Sequence, residues 1–545
     1  MEQVKVTVLD QKIAVDKGSP MKDILVLIKS PYRVMGGIVD NELQDLNYLI
    51  EKDCHIKFID MTTPLGIKIY ERSLLFVLVR AVKAILPKEE LSVEHSLGGG
   101  IYCEFRNNKK LKKDELDQII LQIDRIIKED IPFKKVNYNK KTQNIKLDDK
   151  KRHLFEFIQE DKIQLYELNG QYEYFNGHIL PSTGWLDKFE LRYYYPGFVL
   201  LHPSSNNPTQ INNFIDQKKL FHVFSEYEKW CKFLDVYDVL SLNKKIRDNT
   251  IVEFIRVAEA YHEHEINNIA QEIYDNKDRI KLVIISGPSS AGKTTTSKRL
   301  KTNLMVRGIM PLTIELDNYF VNREETPKDE NGNLDFENID AIDIELFNEN
   351  LIQLIENKEV EMPVFNFLEG KRDKKGRRVK IIGNNPIIIE GIHGLNEKLT
   401  KYIPKENKYK IYINTLTQLN IDSYNRIPTS DIRLLRRMIR DYKYRGHSAE
   451  DTLSMWESVR LGEEKNIFPY QEEADYIFNS ALFYEIFVLK KYAQPLLKQI
   501  HPDNVLFPQA KRILDFFEFF LTIEDETSIL TNSILREFIG GSIYT

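Results

Sequence analysis

The feature that most constrains the fold of this chain is an eight-residue segment, Gly287 to Thr294, which reads GPSSAGKT. It matches the phosphate-binding pattern G-x-x-x-x-G-K-[ST], in which glycines allow a tight turn whose backbone N–H groups converge on phosphate oxygens. The apolar run at residues 282–285 is typical of a buried parallel strand, and residues 294–306 can form a helix. A strand, a glycine turn and a helix in this order predict a phosphate-binding loop in an α/β fold.

The residues of this loop predict specific contacts with a nucleotide. Lys293 can reach the β- and γ-phosphates, and the hydroxyl of Thr294 can ligate Mg²⁺. The alternative is an ordinary glycine turn before a helix, which the flanking strand and helix patterns disfavour. The expected ATP-binding residues of the loop are Gly287, Pro288, Ser289, Ser290, Ala291, Gly292, Lys293, Thr294 and Thr295.

Length, charge and cysteine content bound the rest of the chain. With 545 residues it is too long for one hydrophobic core, and the length suggests roughly three domains. The net charge of −5 argues against a nucleic-acid or anionic-membrane partner, although the N-terminal half leaves a nucleic-acid partner open. Three scattered cysteines, with no signal peptide and no apolar run of membrane-spanning length, predict a cytoplasmic protein without a membrane partner. A homo-oligomer is compatible with these data.

The first 65 residues predict a small α+β unit. Alternating residues 4–9 indicate a strand, and a glycine turn and a helix over residues 21–28 follow. Two further strands are expected near residues 37–39 and 55–59. With the segment VDNEL at residues 39–43, this pattern resembles the TGS domain found at the N-terminus of threonyl-tRNA synthetases and in some GTPases.

Residues 66–245 resemble the α+β editing domain that follows TGS in threonyl-tRNA synthetases, where H-x-x-x-H and C-x-x-x-H hold a metal ion. The four ligand positions fall here on Arg72, Phe76, Tyr174 and His178. One imidazole is too few for a zinc site, which needs three or four protein ligands. We therefore expect this scaffold without its metal site, and a structural or hydrogen-bonding role for His178.

A helical pattern connects this half to the phosphate loop. Apolar residues recur at helical spacing between residues 251 and 273, which predicts a connecting helix within residues 246–279. From residue 280 onward strands and helices alternate, as in βαβ units with a parallel sheet. We expect this α/β domain to span residues 280–510 and a helical tail to occupy residues 511–545.

Two acidic residues follow predicted strands of the α/β domain. Asp317 ends the segment LTIELD, and Glu390 ends the apolar run PIIIE. Because ligands bind at the carboxyl ends of the strands in such a sheet, both carboxylates should lie near the phosphate loop. Together with Lys293 they predict a Mg²⁺–nucleotide site whose metal ligands are Thr294, Asp317 and Glu390. Taken alone, Asp317 could instead cap a turn.

An arginine-rich helix is expected further along the chain. Arg433, Arg437 and Arg440 are spaced four and three residues apart, so they share one helix face. Phosphoryl transfer needs mobile positive charge over the γ-phosphate, which favours a lid. The alternative is a surface helix whose arginines pair with Asp431 and Asp441.

Several segments, in the same order, resemble the uridine kinase and phosphoribulokinase family. They are GPSSAGKT at 287–294, LDNYF at 316–320, DAID at 340–343, MPVFNF at 362–367, EGI at 390–392, RMIRD at 437–441 and RG at 445–446. The resemblance covers residues 280–500 and implies an α/β P-loop kinase, with a parallel sheet flanked by helices, that uses ATP and Mg²⁺. The whole chain resembles a nucleoside kinase preceded by a TGS and synthetase-like half.

The resemblance also implies residue roles. Asp317 would be the general base that receives the proton of the acceptor hydroxyl, with Lys293 and Arg440 as the other catalytic residues. Arg440 and Arg445 would contact the phosphates of ATP. The implied substrate contacts are Asp335 at the ribose hydroxyls, Arg437 at the acceptor, and Tyr319, Phe320 and Phe365.

The base-reading positions depart from the uridine kinase pattern. Where those enzymes place an aromatic hydroxyl, a histidine and a glutamine, this sequence has Phe365, Gly370 and Met455. A pocket built for a hydrogen bond loses orders of magnitude when a partner is missing, so strong uridine or cytidine preference is not expected. The predicted reaction is transfer of the γ-phosphate of ATP to the 5′-hydroxyl of a nucleoside. The alternatives are a sugar-phosphate kinase resembling phosphoribulokinase and a TGS-containing, nucleotide-dependent RNA-binding regulator.

Overall fold

In the computed structural model, which describes residues 2–9, 11–27, 30–107, 109–328, 332, 334–366 and 369–544, the N-terminal region forms a mixed sheet. Its strands are β1 (Gln3–Val8), β2 (Gln11–Asp16), β3 (Ser19–Pro20), β4 (Val34–Val39), β5 (Glu42–Gln44), β6 (Leu49–Ile50) and β7 (Cys54–Asp60). The sheet order is β2-β1-β7-β4-β5, with β1 parallel to β7. The strands expected here are confirmed. The expected helix is a 3-10 helix over Met21–Leu27, and its last predicted residue, Ile28, lies outside the described residues.

The next region packs helices against two antiparallel sheets. Its elements are α1 (Pro64–Ile85), β8 (Leu91–Leu97), β9 (Gly100–Phe105), α2 (Lys113–Lys128), β10 (Lys134–Asn139), α3 (Asp149–Phe155), β11 (Lys162–Leu168), β12 (Gln171–Glu173), β13 (Glu190–Tyr194) and β14 (Gly197–Leu201). The sheet orders are β13-β14-β9-β8 and β10-β11-β12. α1 begins where the Thr63 side chain accepts the backbone N–H of Gly66, with Pro64 in the first turn.

Three helices, α4 (Lys218–Phe233), α5 (Val239–Arg247) and α6 (Ile251–Asp275), lead to the phosphate loop. α6 confirms the connecting helix expected within residues 246–279. Its first half buries Phe254 and Ile255 in one hydrophobic cluster, and its second half buries Ile266 and Ile273 in another. A single helix therefore contributes to both cores.

From residue 280 the chain alternates strands and helices. The strands are β15 (Leu282–Ser286), β16 (Leu312–Glu315), β17 (Val360–Met362), β18 (Phe365–Asn366), β19 (Lys371–Arg372), β20 (Arg377–Val379), β21 (Ile387–Glu390), β22 (Lys408–Asn414) and β23 (Tyr476–Asn479). The helices are α7 (Lys293–Val306), α8 (Ile344–Ile355), α9 (Thr429–Tyr444), α10 (Ala449–Asn466), α11 (Glu485–Leu497), α12 (Phe507–Phe517) and α13 (Arg536–Ile539). Across the described ranges, every helix is too short or too polar to cross a bilayer.

A five-stranded parallel sheet, ordered β16-β21-β15-β22-β23, forms the centre of this half and confirms the predicted α/β fold. Successive residues of a strand face opposite sides, so β15 buries Val283 and Ile285 on one face and Leu282 and Ile284 on the other. α6 and α7 cover the first face, and α8 covers the second. Both faces are apolar because both are covered.

The two halves of the molecule share a hydrophobic core. Phe155 and Leu165 from the editing-like region belong to the same buried cluster as Leu435 of α9, Phe487 of α11 and Phe516 of α12. The helix that carries the predicted arginine lid is therefore packed directly on the N-terminal half.

Candidate active site

The phosphate loop connects β15 to α7 at the carboxyl end of the parallel sheet. A side chain at Gly287 would place its Cβ 2.0 Å from the carbonyl oxygen of Ile413, so only glycine fits here. Gly292, directly before α7, has a φ of 87°, in the left-handed region that favours glycine. Backbone geometry thus requires both glycines of the pattern. The N–H groups in the first turn of α7 lack intrahelical acceptors, which suits them to an anion.

Lys293 and Thr294 begin α7 and bring the loop to Glu390. Nζ of Lys293 donates to the Pro288 carbonyl oxygen at 3.2 Å, and Oγ1 of Thr294 donates to Oε2 of Glu390 at 3.2 Å. Burial raises the pKa of Glu390 to about 8 against the effect of Lys293, and the charge of Asp317 adds to the rise. The three predicted metal ligands therefore lie in one place.

Asp317 lies in a 3-10 turn, Leu316–Tyr319, that directly follows β16. Asp317 is exposed to solvent, yet the surrounding protein partly desolvates its carboxylate. This desolvation raises the pKa of Asp317, although the positive charges of Lys293, Arg445 and Arg440 lower it. The predicted base is thus a partly desolvated carboxylate among cations.

Arg372 holds the turn that carries the predicted base. Its Nη2 donates to the carbonyl oxygen of Tyr319 and its Nε to that of Phe320, both at 3.0 Å. Its Nη1 lies 3.0 Å from a carboxylate oxygen of Asp343. Arg372 is therefore a positioning residue for the turn that carries Asp317.

The arginine-bearing helix is α9, and its most buried arginines support the phosphate loop. Arg433 and Arg436 are fully buried, and Arg433 forms an ion pair with Glu463. Nη1 of Arg433 donates to the carbonyl oxygen of Ser289 at 3.2 Å, and Nη1 of Arg436 to that of Ser290 at 3.5 Å. The expectation that Arg433 belongs to a mobile lid is wrong, because a buried ion pair fixes its guanidinium.

Three further arginines surround one aspartate beside the loop. Asp441 accepts from Nε of Arg440 at 2.9 Å and lies 3.3 Å from Nε of Arg437 and 3.7 Å from Nε of Arg445. Nη1 of Arg437 donates to Oγ of Ser289 at 3.0 Å. Burial lowers the pKa of both Arg437 and Arg445. The structure therefore brings these three predicted residues together.

Glu337, which sequence reasoning missed, is a carboxylate that faces these arginines. Burial raises its pKa to about 7, Glu463 adds to the rise, and Arg437 and Lys293 oppose it. The predicted ribose contact, Asp335, uses its Oδ1 to accept the backbone N–H of Glu337 at 3.2 Å. Asp335 thus shapes the turn that carries Glu337. The one sequence signal for Glu337 was that it is an acidic residue two positions after Asp335.

The predicted aromatic contacts divide into two groups. The ring of Phe320 lies 5.9 Å from that of Phe365 and 6.4 Å from that of Phe336, so these rings form a cluster beside the turn that bears the base. Tyr319 is completely buried, and its hydroxyl accepts from Nδ2 of Asn350 at 3.1 Å. Its side chain belongs to the core, so the structure does not bring it to the cleft.

The other base-reading positions lie on separate elements. Gly370 has a φ of 67°, and a Cβ there would lie 2.7 Å from Nε of Arg323. Met455 is half-buried on α10. Phe367, the last residue of MPVFNF, lies outside the described residues. A side chain at Gly370 would therefore meet an arginine and a strained backbone.

The C-terminal tail reaches the phosphate loop, a contact that no sequence pattern indicated. Ile534 and Phe538 are fully buried in the same cluster as Ala291 of the loop. Oε2 of Glu537 accepts from the backbone N–H of Thr295 at 3.1 Å and from its hydroxyl at 2.6 Å. Thr295, a predicted ATP contact, therefore hydrogen-bonds to a carboxylate of the same chain.

In the N-terminal half, the four positions equivalent to metal ligands make other contacts. Nη1 of Arg72 donates to the carbonyl oxygen of His178 at 2.9 Å, and Nε2 of His178 lies 2.8 Å from the carbonyl oxygen of Leu43. Phe76 is completely buried, and Tyr174 packs partly buried against other rings. These contacts give His178 the hydrogen-bonding role that we expected.

A phosphate loop, carboxylates at the ends of neighbouring strands and arginines on an adjacent helix define a phosphotransferase of the P-loop kinase class. Residues 282–483 match the family described as "Phosphoribulokinase / Uridine kinase family". A uridine kinase of Borrelia turicatae is 31% identical over 201 residues, which are 36% of this chain and 85% of that protein. The chain belongs to the phosphoribulokinase/uridine kinase family.

The N-terminal half matches a different kind of protein. A threonine–tRNA ligase of Thermotoga neapolitana is 30% identical over 164 residues, which are 29% of this chain and 26% of the ligase. The chain thus spans about a quarter of the length of the ligases it matches. Among solved structures, a possible uridine kinase from Bacillus stearothermophilus is 16% identical, covering 38% of this chain and 99% of that one, with a TM-score of 0.25. At that score the likeness adds nothing to what the sheet itself shows.

Proposed function

We propose that this protein is a nucleoside kinase that transfers the γ-phosphate of ATP, with Mg²⁺, to the 5′-hydroxyl of a nucleoside. The family and the phosphate loop support ATP as the donor. Cys54, Cys103 and Cys231 are buried free thiols, which supports a reducing cytoplasm as the compartment.

The observation that carries this proposal is the position of Asp317 beside the phosphate loop. A carboxylate with a raised pKa is a better proton acceptor near neutral pH than an ordinary aspartate. Asp317 accepts the proton of the acceptor hydroxyl as that oxygen attacks the γ-phosphorus and ADP leaves. Lys293 and Arg440 stabilise the negative charge on the transferred group.

The residues at the loop fit a magnesium ion. Magnesium prefers hard oxygen ligands, which the hydroxyl of Thr294 and the carboxylates of Asp317 and Glu390 provide. The charge of Asp317 helps to raise the pKa of Glu390, and two neighbouring carboxylates of this kind favour a divalent cation. The ion supplies charge neutralisation on the β- and γ-phosphates.

The aromatic cluster supports a nucleoside acceptor without strong pyrimidine preference. Phe336, which lies beside Phe320 and is 42% exposed, offers a ring face on which a base can stack. Phe365 has no hydroxyl and Gly370 has no side chain, so neither position can hydrogen-bond to a base edge through a side chain. Stacking tolerates every base because every base has a π-face. We therefore propose that purine nucleosides serve at least as well as uridine and cytidine.

One feature favours a second candidate, a phosphorylated sugar as acceptor. Arg323 lies against Gly370, where the uridine kinase pattern has a histidine. A guanidinium is well suited to phosphate, because it offers paired N–H donors in a fixed geometry. A pentose phosphate could therefore replace the nucleoside at this end of the cleft.

The test is ADP release by the purified full chain against uridine, cytidine, adenosine, guanosine, inosine and a set of pentose phosphates, with Lys293→Ala as the blank. Turnover with nucleosides supports the proposal, and turnover with pentose phosphates alone supports the second candidate. Nucleotide binding without turnover on any acceptor would overturn both and favour the nucleotide-dependent regulator.

A further inference from the structure

The C-terminal tail occupies hydrogen-bond donors that a bound nucleotide needs. Thr295 is the third residue of α7, so its backbone N–H belongs to the first turn, which has no intrahelical acceptors. In a phosphate loop, backbone N–H groups at this position hold the phosphates. Here Oε2 of Glu537 accepts from both the N–H and the hydroxyl of Thr295, at 3.1 and 2.6 Å. A carboxylate oxygen and a phosphate oxygen cannot occupy the same donors at once.

The rest of the tail fixes Glu537 in this position. The side chain of Ile534 lies so close to Gly292 that a Cβ there would be 2.5 Å from it. The guanidinium of Arg436 lies over the ring of Phe538, 5.0 Å from its centroid. Further along, Nζ of Lys298 in α7 donates to the carbonyl oxygen of Tyr544 at 2.6 Å. The tail thus packs against the loop and holds the carboxylate of Glu537 at Thr295.

We propose that Glu537 is a residue of the nucleotide site that competes with phosphate for Thr295, so that the tail sets nucleotide affinity. This inference rests on the proposed nucleotide site of the loop. The ammonium of Lys443, on the helix that carries Arg437 and Arg440, hydrogen-bonds to the carbonyl oxygen of Ile539. This hydrogen bond ties the tail to the helix that carries those arginines.

The experiment measures dissociation constants for Mg–ATP and for inorganic pyrophosphate by calorimetry on the full chain, with circular dichroism as a check on folding. Glu537→Gln keeps the size of the side chain and removes its charge. We expect about tenfold tighter binding of both ligands, because a charged hydrogen-bond acceptor is replaced by a neutral one. Glu524→Gln is the matched control, since Glu524 is an exposed acid on the same tail, and it should leave both constants unchanged.

Unchanged or weaker binding in folded Glu537→Gln would overturn the inference, and weaker binding would make Glu537 a ligand of the nucleotide or its metal. Failure of the proposed function would give a different experimental result. Tighter binding without turnover on any acceptor would overturn the kinase and leave the competition intact. Absence of binding to the wild type and to both variants would overturn the inference together with the nucleotide site.

A second observation concerns a cavity of about 540 Å³ between the two halves, lined by α1, by the β8–β9 turn, by the start of α9 and by α12. Six lysine and arginine side chains line it, and among them Arg426 and Arg512 pair with carboxylates that also line it. Arg426 lies 3.3 Å from Glu71, and Arg512 donates two hydrogen bonds to Asp431 at 2.7 and 3.0 Å. Of the other four, Lys68 and Arg72 lie on α1.

Neither Lys68 nor Arg72 makes an ion pair with a carboxylate among the described residues. The neighbouring charge of Arg512, together with burial, lowers the pKa of Lys68 to about 8. The other charged lining residues do not offset this excess. Arg460 pairs with Glu464 and Arg433 with Glu463, and Glu94, whose pKa is raised by burial and by Glu228, forms no ion pair with Lys68 or Arg72. Two unpaired positive charges in a half-buried position destabilise the protein unless an anion binds between them.

We infer that this cavity binds a small molecule with a carboxylate or phosphate group, held by Lys68 and Arg72. Its volume lies within the range of small-molecule sites, roughly 300–1,000 Å³. Asp431, which lines the cavity, is on the same helix as Arg437 and Arg440, so the occupant contacts the helix that supports the phosphate loop. The N-terminal half then serves as one wall of a ligand site next to the kinase.

The experiment titrates inorganic phosphate and, separately, acetate into the Lys293→Ala protein, in which the phosphate loop is weakened. The same titrations are repeated after adding Lys68→Met. Lys83→Met is the matched control, because Lys83 is exposed on the same helix and lies outside this cavity. We expect at least one anion to bind, and about tenfold weaker binding after Lys68→Met but not after Lys83→Met.

The two anions distinguish the ligand classes, since stronger phosphate binding indicates a phosphorylated ligand and stronger acetate binding a carboxylate. A second measurement uses an amine-reactive label at pH 8. Lys68 should react faster than exposed lysines, and the bound anion should protect it. Absence of binding by both anions, or equal binding with and without Lys68→Met, would overturn the inference.

Discussion

The two halves of this chain retain different parts of what they resemble. In the C-terminal half, Lys293, Thr294 and Glu390 meet at one edge of a parallel sheet, as the family pattern requires. In the N-terminal half, the positions equivalent to metal ligands hold an arginine that bonds to a carbonyl and a phenylalanine in the core, Arg72 and Phe76. Buried apolar residues can maintain a fold even where the residues of its metal site have been replaced. A resemblance in fold therefore does not imply the same chemistry.

The sharpest test of this contrast is the replacement of Lys293, the lysine of the phosphate loop. Lys293→Ala should lower kcat/KM by at least about 10³-fold, because it removes positive charge beside the transferred group. Steady-state ADP release checks this value. Lys301→Ala, a change on the same helix away from the loop, should leave turnover near the wild-type value. Near-native turnover by folded Lys293→Ala would mean that this half is also a scaffold without its chemistry.

The next effect concerns the base. Asp317→Asn should lower kcat by about 10²–10³-fold while nucleotide binding persists, because it removes proton transfer and spares the phosphate contacts. Single-turnover kinetics and nucleotide titration separate the two quantities. Asp373→Asn, an exposed acid on the neighbouring hairpin, is the control.

The pH dependence of the wild type sharpens the same assignment. A general base works unprotonated, so kcat/KM should fall as the pH falls through the pKa of Asp317. Burial raises that pKa in the free enzyme, whose ionisation kcat/KM reports, so the acidic limb of kcat/KM should lie at a higher pH than for an ordinary aspartate. An acidic limb at the ordinary aspartate value would argue for a different base.

In the N-terminal half, the expected effect is on stability and not on turnover. Phe76→Ala should lower the free energy of unfolding by about 3–5 kcal/mol, because it empties a fully buried position between Phe133 and Phe175. Urea unfolding measures this loss. Phe233→Ala, at a phenylalanine that is 83% exposed, should cost little. A change at Phe76 that lowered kcat of the folded protein would contradict a purely structural role.

The acceptor pocket should give a smaller effect. We expect kcat/KM for adenosine, guanosine or inosine to equal or exceed that for uridine and cytidine, since no side chain at residues 365 or 370 can hydrogen-bond a base edge. A preference for uridine of roughly a hundredfold would contradict this assignment. Gly370→His should not create tight uridine binding, because its Cβ would lie 2.7 Å from Arg323. Gly383→His has the same φ of 67° with open space around it, and is the matched control.

The last prediction concerns zinc in the N-terminal half, where we expect no effect. Elemental analysis of protein prepared without a histidine tag should find far less than one zinc per chain, and mischarged tRNA should not be hydrolysed, because three of the four ligand positions lack a ligand. His178→Ala should leave the metal content unchanged. One zinc per chain that disappears in His178→Ala would contradict this prediction.

Sequence reasoning located the parts of the site that lie within short, ordered segments. The phosphate loop, Asp317 and Glu390 each follow a recognisable strand, so local patterns and one rule about parallel sheets bring them together. The same reasoning misplaced Tyr319 and Arg433, because spacing along a helix or turn shows which residues share a face but not which face is buried. Burial is decided by elements distant in the sequence.

The residues that sequence reasoning missed share one property: their role depends on a distant partner. Glu537 contacts Thr295 across 242 positions of the chain, and Glu463 contacts Ser289 across 174. Arg372 lies in a segment rich in lysine and arginine, yet it hydrogen-bonds to the turn that carries the base. A local pattern carries no information about such pairs, because the fold alone brings them together.

The connecting helix α6 has a consequence for how this protein can be divided. With 25 residues it is about 37 Å long, and it contributes apolar side chains to a different core at each end. A gene split at residue 280 would leave one product with Ile266, Ile269 and Ile273 facing water and the other with part of a sheet face uncovered. We therefore expect the two halves to be stable as one continuous chain and not as two separate products.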